Sequence, residues 1–375
     1  MSAPTIGTPI GRWAGLGPYY AMFPVSFAFH VVREHCPEGG RVFDPFAGRG
    51  SSIYAAAAQE RVGVGIELNP VGWVYSQAKL QPASERAVLR RLKEMGTLSR
   101  VHDRRSHWAS PTSFPMPEFF HHCYSARVLR FLLTCRRELQ WRTNKTDTTL
   151  MALLMVYLHA KAGGGMSNQM RQSKAMSPPY AVRWWKEHGT QAPDIDPVEW
   201  LEERICWRYK VGLPSLSIGR VLLADSTRRA AQLSRAVTGG REAAFDLLFT
   251  SPPYFAVTNY QYDQWMRLWL LGGEPYPVAA QERSRGRHES KVAYRQLIES
   301  VFADSASLLN PRATLYVRTD ARDFTRTTTE EILRRVFPRK ELEIIERPYT
   351  KKTQTSLFGD AQAKPGEVDM VLRSP

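Results

Sequence analysis

Two short stretches carry residue types that chemistry can use. The first is Asp44-Pro45-Phe46-Ala47-Gly48-Arg49-Gly50-Ser51-Ser52. Gly48 and Gly50 allow a backbone turn to approach a bound molecule closely, and the helix expected after them offers free N–H groups. Glu67 stands 67 − 50 = 17 positions beyond Gly50, at the end of the apolar run Val62-Gly63-Val64-Gly65-Ile66. A carboxylate at such a strand tip can hold both hydroxyls of a ribose, so the pair of features suits a nucleotide-like ligand. A nicotinamide dinucleotide suits it less, because the third glycine of GxGxxG would fall near Ile53.

The second stretch is Ser251-Pro252-Pro253-Tyr254, directly after the apolar run Phe245 to Thr250. Two prolines end a strand abruptly and hold the next backbone in a fixed shape. The turn presents the Ser251 hydroxyl and the Pro252 carbonyl as acceptors, with the Tyr254 ring beside them. Such a set suits a planar base bearing an exocyclic amine, since it offers acceptors for the N–H groups and a ring for the face. The same four residues recur at Ser177-Pro178-Pro179-Tyr180, but Arg171-Gln172-Ser173-Lys174-Ala175-Met176 precedes them. With no strand leading in, this copy reads as a loop that is not aimed at a sheet edge.

The elements that must position these residues follow from hydrophobic pattern. Residues 1–18 are rich in Gly and Pro and read as an extended arm. A helix is expected from Phe23 to Glu34, then a strand at Arg41-Val42-Phe43, an alanine-rich helix from Ile53 to Gln59, and a strand from Val62 to Ile66. Strand, glycine turn, helix and strand make one right-handed crossover unit of an α/β sheet. The pattern resumes with strands at Gly219–Ala224 and Phe245–Thr250. A helix at Tyr294–Leu309, a strand at Ala313–Val317, a helix at Thr329–Val336 and strands at Leu342–Ile345 and Val368–Leu372 complete it. The stretch 81–215 between the two halves reads as mostly helical and contains aromatic-basic runs such as Arg183-Trp184-Trp185-Lys186. The expected organisation is therefore 1–80 as the first part of the sheet domain, 81–215 as an insertion and 216–375 as the second part.

Charge narrows the partner. The chain carries 51 Lys and Arg against 36 Asp and Glu, a net +15, which favours a polyanion such as nucleic acid. The insertion alone holds 21 basic and 12 acidic residues, so 21 − 12 = +9 lies in it. The 4 cysteines are scattered and form no CxxC pair, which argues against a disulfide framework or a thiolate zinc site. His121-His122-Cys123 reads as a helix surface, and no metal is expected. Apolar runs such as Leu150 to Leu158 are too short to cross a bilayer, and the N-terminus lacks a secretory pattern. The expectation is a soluble protein of a reducing cytoplasm.

Over residues 15–80 and 215–375 the chain resembles the amino-directed DNA methyltransferases, which methylate cytosine N4 or adenine N6. The resemblance implies a Rossmann-like class I methyltransferase sheet with helices on both faces, interrupted here by the helical insertion, and S-adenosylmethionine as cofactor. It implies that Asp44, Phe46, Gly48 and Gly50 form the methionine-binding motif. It also implies that Glu67 is the ribose acid, that Asp225 contacts the adenine ring, and that the helix beginning at Phe23 covers the methionine end. Thr250 leads into the catalytic motif Ser251, Pro252, Pro253 and Tyr254, and a leading serine is most typical of cytosine-N4 enzymes. The family implies double-stranded DNA as partner and allows for a companion restriction endonuclease, as in restriction-modification systems. Two departures are present: Ser51-Ser52 replace the more usual threonines, and 225 − 67 = 158 positions separate Glu67 from Asp225, far beyond an ordinary connection.

The implied reaction is direct displacement, with Ser251 and Pro252 drawing on the hydrogens of a flipped base's amine. No cysteine follows a proline as carbon-5 chemistry of this fold requires, so that chemistry is excluded. DNA contacts are expected from the loop Gly163 to Lys174, where Asn168 and Gln169 could pair with adenine, Arg171 with guanine and Lys174 with phosphate. Arg283, Arg285, Arg287 and Lys291, together with Lys351 and Lys352, are further candidates for phosphate contact. Adenine-N6 methylation is the first alternative. An RNA or protein-glutamine methyltransferase and a catalytically silent DNA-binding module follow.

Overall fold

The computed structural model describes residues 4–19, 23–105, 116–172, 174–255, 260–278, 290–348 and 366–375. A seven-stranded sheet runs through it in the order β3-β2-β1-β4-β5-β7-β6. Its strands are β1 (Arg41–Asp44), β2 (Val62–Glu67), β3 (Gly219–Leu223), β4 (Phe245–Thr250), β5 (Leu309–Asp320), β6 (Glu341–Arg347) and β7 (Glu367–Arg373). β1 to β5 are parallel neighbours, and β7 inserts antiparallel between β5 and β6. The strand order reverses between β1 and β4. In an open sheet, ligands sit at that reversal, beyond the carboxyl ends of the strands.

The helices of the first half are α1 (Pro9–Ala14), α2 (Val25–His35), α3 (Ser51–Ala57) and α4 (Pro70–Leu80). The expected extended arm is wrong in part: Thr8 caps α1 through a bond from the Gly11 N–H at 3.1 Å, and Trp13 and Leu16 are buried. A Thr cap with Pro at the first helical position starts a helix even in a Gly-rich stretch. α3 and the turn before it lie hard against β2, where a Cβ at Gly63 would sit 2.8 Å from Ile53 Cγ2 and one at Gly65 2.8 Å from the Ala47 Cβ. The small residues of this strand are thus what lets the glycine turn close over it.

The inserted stretch is helical: α5 (Glu85–Arg105), α6 (Glu118–Cys123), α7 (Ala126–Glu138), α8 (Lys145–Tyr157), α9 (Pro178–Glu187) and α10 (Pro197–Tyr209). The second Ser-Pro-Pro-Tyr opens α9, with Ser177 at its N-cap and the prolines in the first turn, rather than forming a loop. Proline lacks the N–H that this position leaves unbonded anyway. The second half adds α11 (Ser226–Thr238), α12 (Tyr260–Asp263), α13 (Trp265–Leu270), α14 (Lys291–Ala306) and α15 (Asp323–Val336).

Three apolar clusters hold the layers. One joins α11, α14 and α15 to one face of the sheet, and a second joins α2 and α3 to the other. The largest runs from α1, α3 and α4 through the inserted helices to Trp265, Met266, Trp269 and Leu270 of α13. The insertion is therefore packed on the sheet domain through a continuous core. Arg267 stitches the same junction: it is fully buried and donates to the Met155 carbonyl at 3.0 Å, to Gln264 Oε1 at 2.7 Å and to the Gln172 carbonyl. Among the described residues, no helix is long and apolar enough to cross a membrane.

Candidate active site

The carboxyl ends of β1, β2, β3 and β4 bring the sequence motifs to one edge. Asp44 ends β1 and is 1% exposed. Its Oδ1 accepts from the Phe46 N–H at 3.0 Å and from Thr250 Oγ1 at 2.6 Å, while Oδ2 accepts from Ser52 Oγ. Burial pushes this carboxyl up to about 6, against the opposing pull of the Ser52, Thr250 and Phe46 bonds. Asp44 therefore braces the turn internally: one carboxylate ties the glycine turn, the start of α3 and the end of β4. Phe46 is half-buried and packs against the cluster beneath the sheet.

The turn itself depends on its glycines. Gly50 caps α3 with φ +73°, and a Cβ there would lie 2.6 Å from Ser76 Oγ on α4, so both the backbone angle and the space exclude a side chain. Gly48, with φ +54°, donates its N–H to Glu67 Oε2 at 2.6 Å. Glu67 Oε1 accepts from the Asn69 N–H at 2.7 Å. Burial pushes the Glu67 carboxyl up to about 8, with Asp44 adding to the rise and the Asn69 and Gly48 bonds opposing it. Asp225 follows β3 as the cap of α11, its Oδ1 accepting from the Thr227 N–H at 2.9 Å and the Thr227 hydroxyl at 2.7 Å. Next to it, the Ser226 hydroxyl donates to the Pro45 carbonyl and ties this turn to the glycine turn.

β4 delivers the tetrad. Pro252 is buried, and Ser251, Pro253 and Tyr254 are half-buried. Ser251 Oγ donates to Tyr254 Oη at 3.4 Å, and Tyr254 Oη donates to Glu367 Oε1 at 3.3 Å. Behind Glu367, the Arg318 guanidinium lies 3.2 Å from the other carboxylate oxygen and makes two bonds to Asp369, at 2.6 and 2.9 Å. Phe23 stacks on Phe249 of β4 with ring centroids 4.6 Å apart, so it supports the strand that carries the tetrad.

Thr250, already part of the second motif, makes the bond between the two motifs. Two residues at this edge escape a motif reading: Ser226 pins the third turn, and Glu367 comes from a strand 113 positions beyond Tyr254. Leu68, directly after Glu67, leaves its side chain 53% exposed at the sheet edge. Only its place after the strand-ending acid could have pointed to it.

The inserted loop is arranged differently from its expectation. Asn168 is buried, and its amide is wholly engaged: Nδ2 donates to the His122 carbonyl at 3.3 Å and the Thr190 carbonyl at 3.0 Å, and Oδ1 accepts from the Gln169 N–H at 2.8 Å. Base pairing by Asn168 is corrected on this ground, since it holds the loop together. Lys174 makes a 2.8 Å ion pair with the buried Asp263 of α12. Gln169 and Arg171 are exposed. Lys291 is also exposed, at the start of α14, whereas Arg283, Arg285, Arg287, Lys351 and Lys352 lie outside the described residues.

With this geometry in view, the sequence can be set beside known proteins. The N6- and N4-directed DNA methylase family matches residues 7–72, from just before α1 into α4. The resemblance to amino-directed methyltransferases is borne out over that segment. The chain is a methyltransferase. No curated protein matches it in sequence. Among solved structures, the rRNA methyltransferase aviRa from Streptomyces viridochromogenes aligns at 14% identity over 97% of this chain and 90% of its own, with a TM-score of 0.36. TrmN from Thermus thermophilus aligns at 10% identity over 97% of this methyltransferase and 52% of its own chain, with a TM-score of 0.35.

Proposed function

We propose that this methyltransferase uses S-adenosylmethionine to methylate the N4 amine of a cytosine flipped out of duplex DNA. The observation that carries the reading is the Thr250–Asp44 bond, which fixes the serine-led tetrad against the glycine turn at the sheet's reversal point. The residues fit the cofactor. Gly48 and Gly50 keep side chains out of the turn, Glu67 places its carboxyl group at the tip of β2 for the diol, and Leu68 offers an adenine ring an apolar face. Ser51 Oγ and Asn69 Nδ2 flank the turn, buried and without a hydrogen-bond partner among the described residues, as groups awaiting a ligand would be. When bound, S-adenosylmethionine supplies an activated methyl group on a sulfonium.

Ser251 Oγ and the Pro252 carbonyl accept the amine's hydrogens, hold its lone pair in line with the methyl carbon, and leave the Tyr254 ring to lie against the base. Positioning of this kind supplies most of the acceleration, because a sulfonium leaves readily. DNA is held by the basic insertion, with Gln169 and Arg171 as the exposed contacts of its loop. Competition among duplex DNA, tRNA and a release-factor peptide for labelled methyl groups tests the substrate class, with transfer to duplex DNA expected and exclusive labelling of tRNA or peptide opposing it. Ser251→Ala should abolish turnover while cofactor binding persists; undiminished turnover would remove Ser251 from the site.

A further inference from the structure

The tetrad does not end at Tyr254. Ser251 Oγ, Tyr254 Oη and Glu367 Oε1 form a donor-to-acceptor chain of 3.4 and 3.3 Å, leading from the amine-facing hydroxyl into the sheet. With Ser251 Oγ donating to Tyr254 Oη, the lone pairs of Ser251 Oγ are left to accept from an incoming N–H. Glu367 sits at the first position of β7, in register with Asp320 of β5 and with Arg347 of β6. The groups facing it are Tyr254, Arg318 and Asp320 from neighbouring segments, Asp369 from its own strand, and Arg347 across the pair with β6. Arg318 is itself held by both oxygens of Asp369, and Asp369 is held further by Tyr316 Oη at 2.8 Å and Arg347 at 3.1 Å. The carboxylate is thus fixed in place by a cationic network, with one oxygen left toward Tyr254.

Resting on the functional reading above, we propose that Glu367 is the terminal proton acceptor of the reaction, reached through Ser251 and Tyr254. The amine nitrogen gains a methyl group and must lose one hydrogen to become neutral. That hydrogen passes to Ser251 Oγ, the serine's own passes to Tyr254 Oη, and the tyrosine's passes to Glu367 Oε1. The sulfonium's positive charge and the carboxylate's negative charge disappear together, leaving a neutral thioether, a neutral methylated amine and a carboxylic acid that later loses its proton to water. Burial raises the Glu367 carboxyl from its ordinary value, while Arg318 and the Tyr254 bond pull it down. A carboxylate raised in this way is a better proton acceptor.

Glu367 acts through two other side chains, so its test needs readouts that a merely structural role would not move. With unmethylated plasmid DNA as substrate, wild-type kcat should rise with pH through one carboxyl titration to a plateau. Glu367→Gln should lose that limb and fall about 100-fold, the low end of what positioned proton transfer contributes, with KM for the cofactor unchanged. Glu367→Asp should recover part of the rate and the limb. Independently of substrate, carbon NMR of the labelled Glu367 carboxyl should show titration above the ordinary glutamate value, moving higher still in Tyr254→Phe as the donated bond is lost. An unchanged pH profile in Glu367→Gln, or a Glu367 titration indifferent to Tyr254→Phe, overturns the relay. If the wild type transfers no methyl to plasmid DNA, the functional reading falls, and the titration still decides whether the chain of bonds exists.

Discussion

The carboxyl edge of the sheet and the loop at residues 163–174 hold polar residues of equally suggestive types, but they direct them differently. At the edge, Asp44 and Thr250 face each other from neighbouring strands, and their bond aligns two motifs separated by 206 positions. In the loop, Asn168 is turned inward and Lys174 is paired with Asp263. A residue at the end of a parallel strand has its direction set by the sheet register, whereas a loop residue is free to satisfy its own backbone. Spacing next to a strand therefore transfers to geometry, and polar composition alone does not.

The largest effect should come from breaking the edge. Asp44→Ala leaves the Thr250 and Ser52 hydroxyls and the Phe46 N–H without their acceptor. Affinity for S-adenosylhomocysteine by calorimetry should fall about 100-fold, equivalent to ~3 kcal/mol at 1.4 kcal/mol per tenfold; near-normal affinity would mean the brace is dispensable. Thr250→Val removes one of those bonds and should lower kcat about 10-fold, within the range for a hydrogen bond to a charged group. A larger loss of cofactor affinity than of kcat would shift the role of Thr250 from aligning the tetrad to shaping the turn.

The loop should respond in stability. Asn168→Ala leaves the His122 and Thr190 carbonyls without a donor, and denaturant unfolding should show a loss of about 1–3 kcal/mol. Duplex-DNA affinity of the folded variant, measured by fluorescence anisotropy, should remain near wild type, while Gln169→Ala with Arg171→Ala should weaken it. Equal weakening by both would return Asn168 to the interface.

The edge also responds to pH. Glu67 in the folded apoprotein is raised by burial to about 8, above its ordinary value of 4.5. Its protonated form favours the fold, so this contribution is fully present below 4.5 and is lost as pH rises through about 8. Apoprotein thermal midpoints should therefore decline across that window, and Glu67→Gln should flatten the decline. A slope untouched by Glu67→Gln would move the titration to another group, Asp44 first.

Much of the sheet was legible because its strands are apolar runs that end at turns. Phe245–Thr250 coincides with β4, and each expected strand overlaps one in the structure. The N-terminal arm misled because a Thr cap and one proline outweigh the glycines around them. The second Ser-Pro-Pro-Tyr misled because proline suits the opening of a helix as well as a loop. Glu67, Asp225 and the tetrad fall at or just past strand ends, where the apolar runs before them place them. Thr250 stood in the motif, yet its partner appears only once β1 and β4 are neighbours. Glu367 was not legible at all, since only the antiparallel insertion of β7 beside β5 brings it to Tyr254.

The central claim is methyl transfer to the N4 amine of cytosine in duplex DNA, and nucleoside mass spectrometry of unmethylated DNA treated with the enzyme and S-adenosylmethionine tests it most directly. N4-methylcytosine is the expected product, absent from Ser251→Ala reactions. N6-methyladenine would overturn the choice of base, and DNA free of both products would contradict the claim itself.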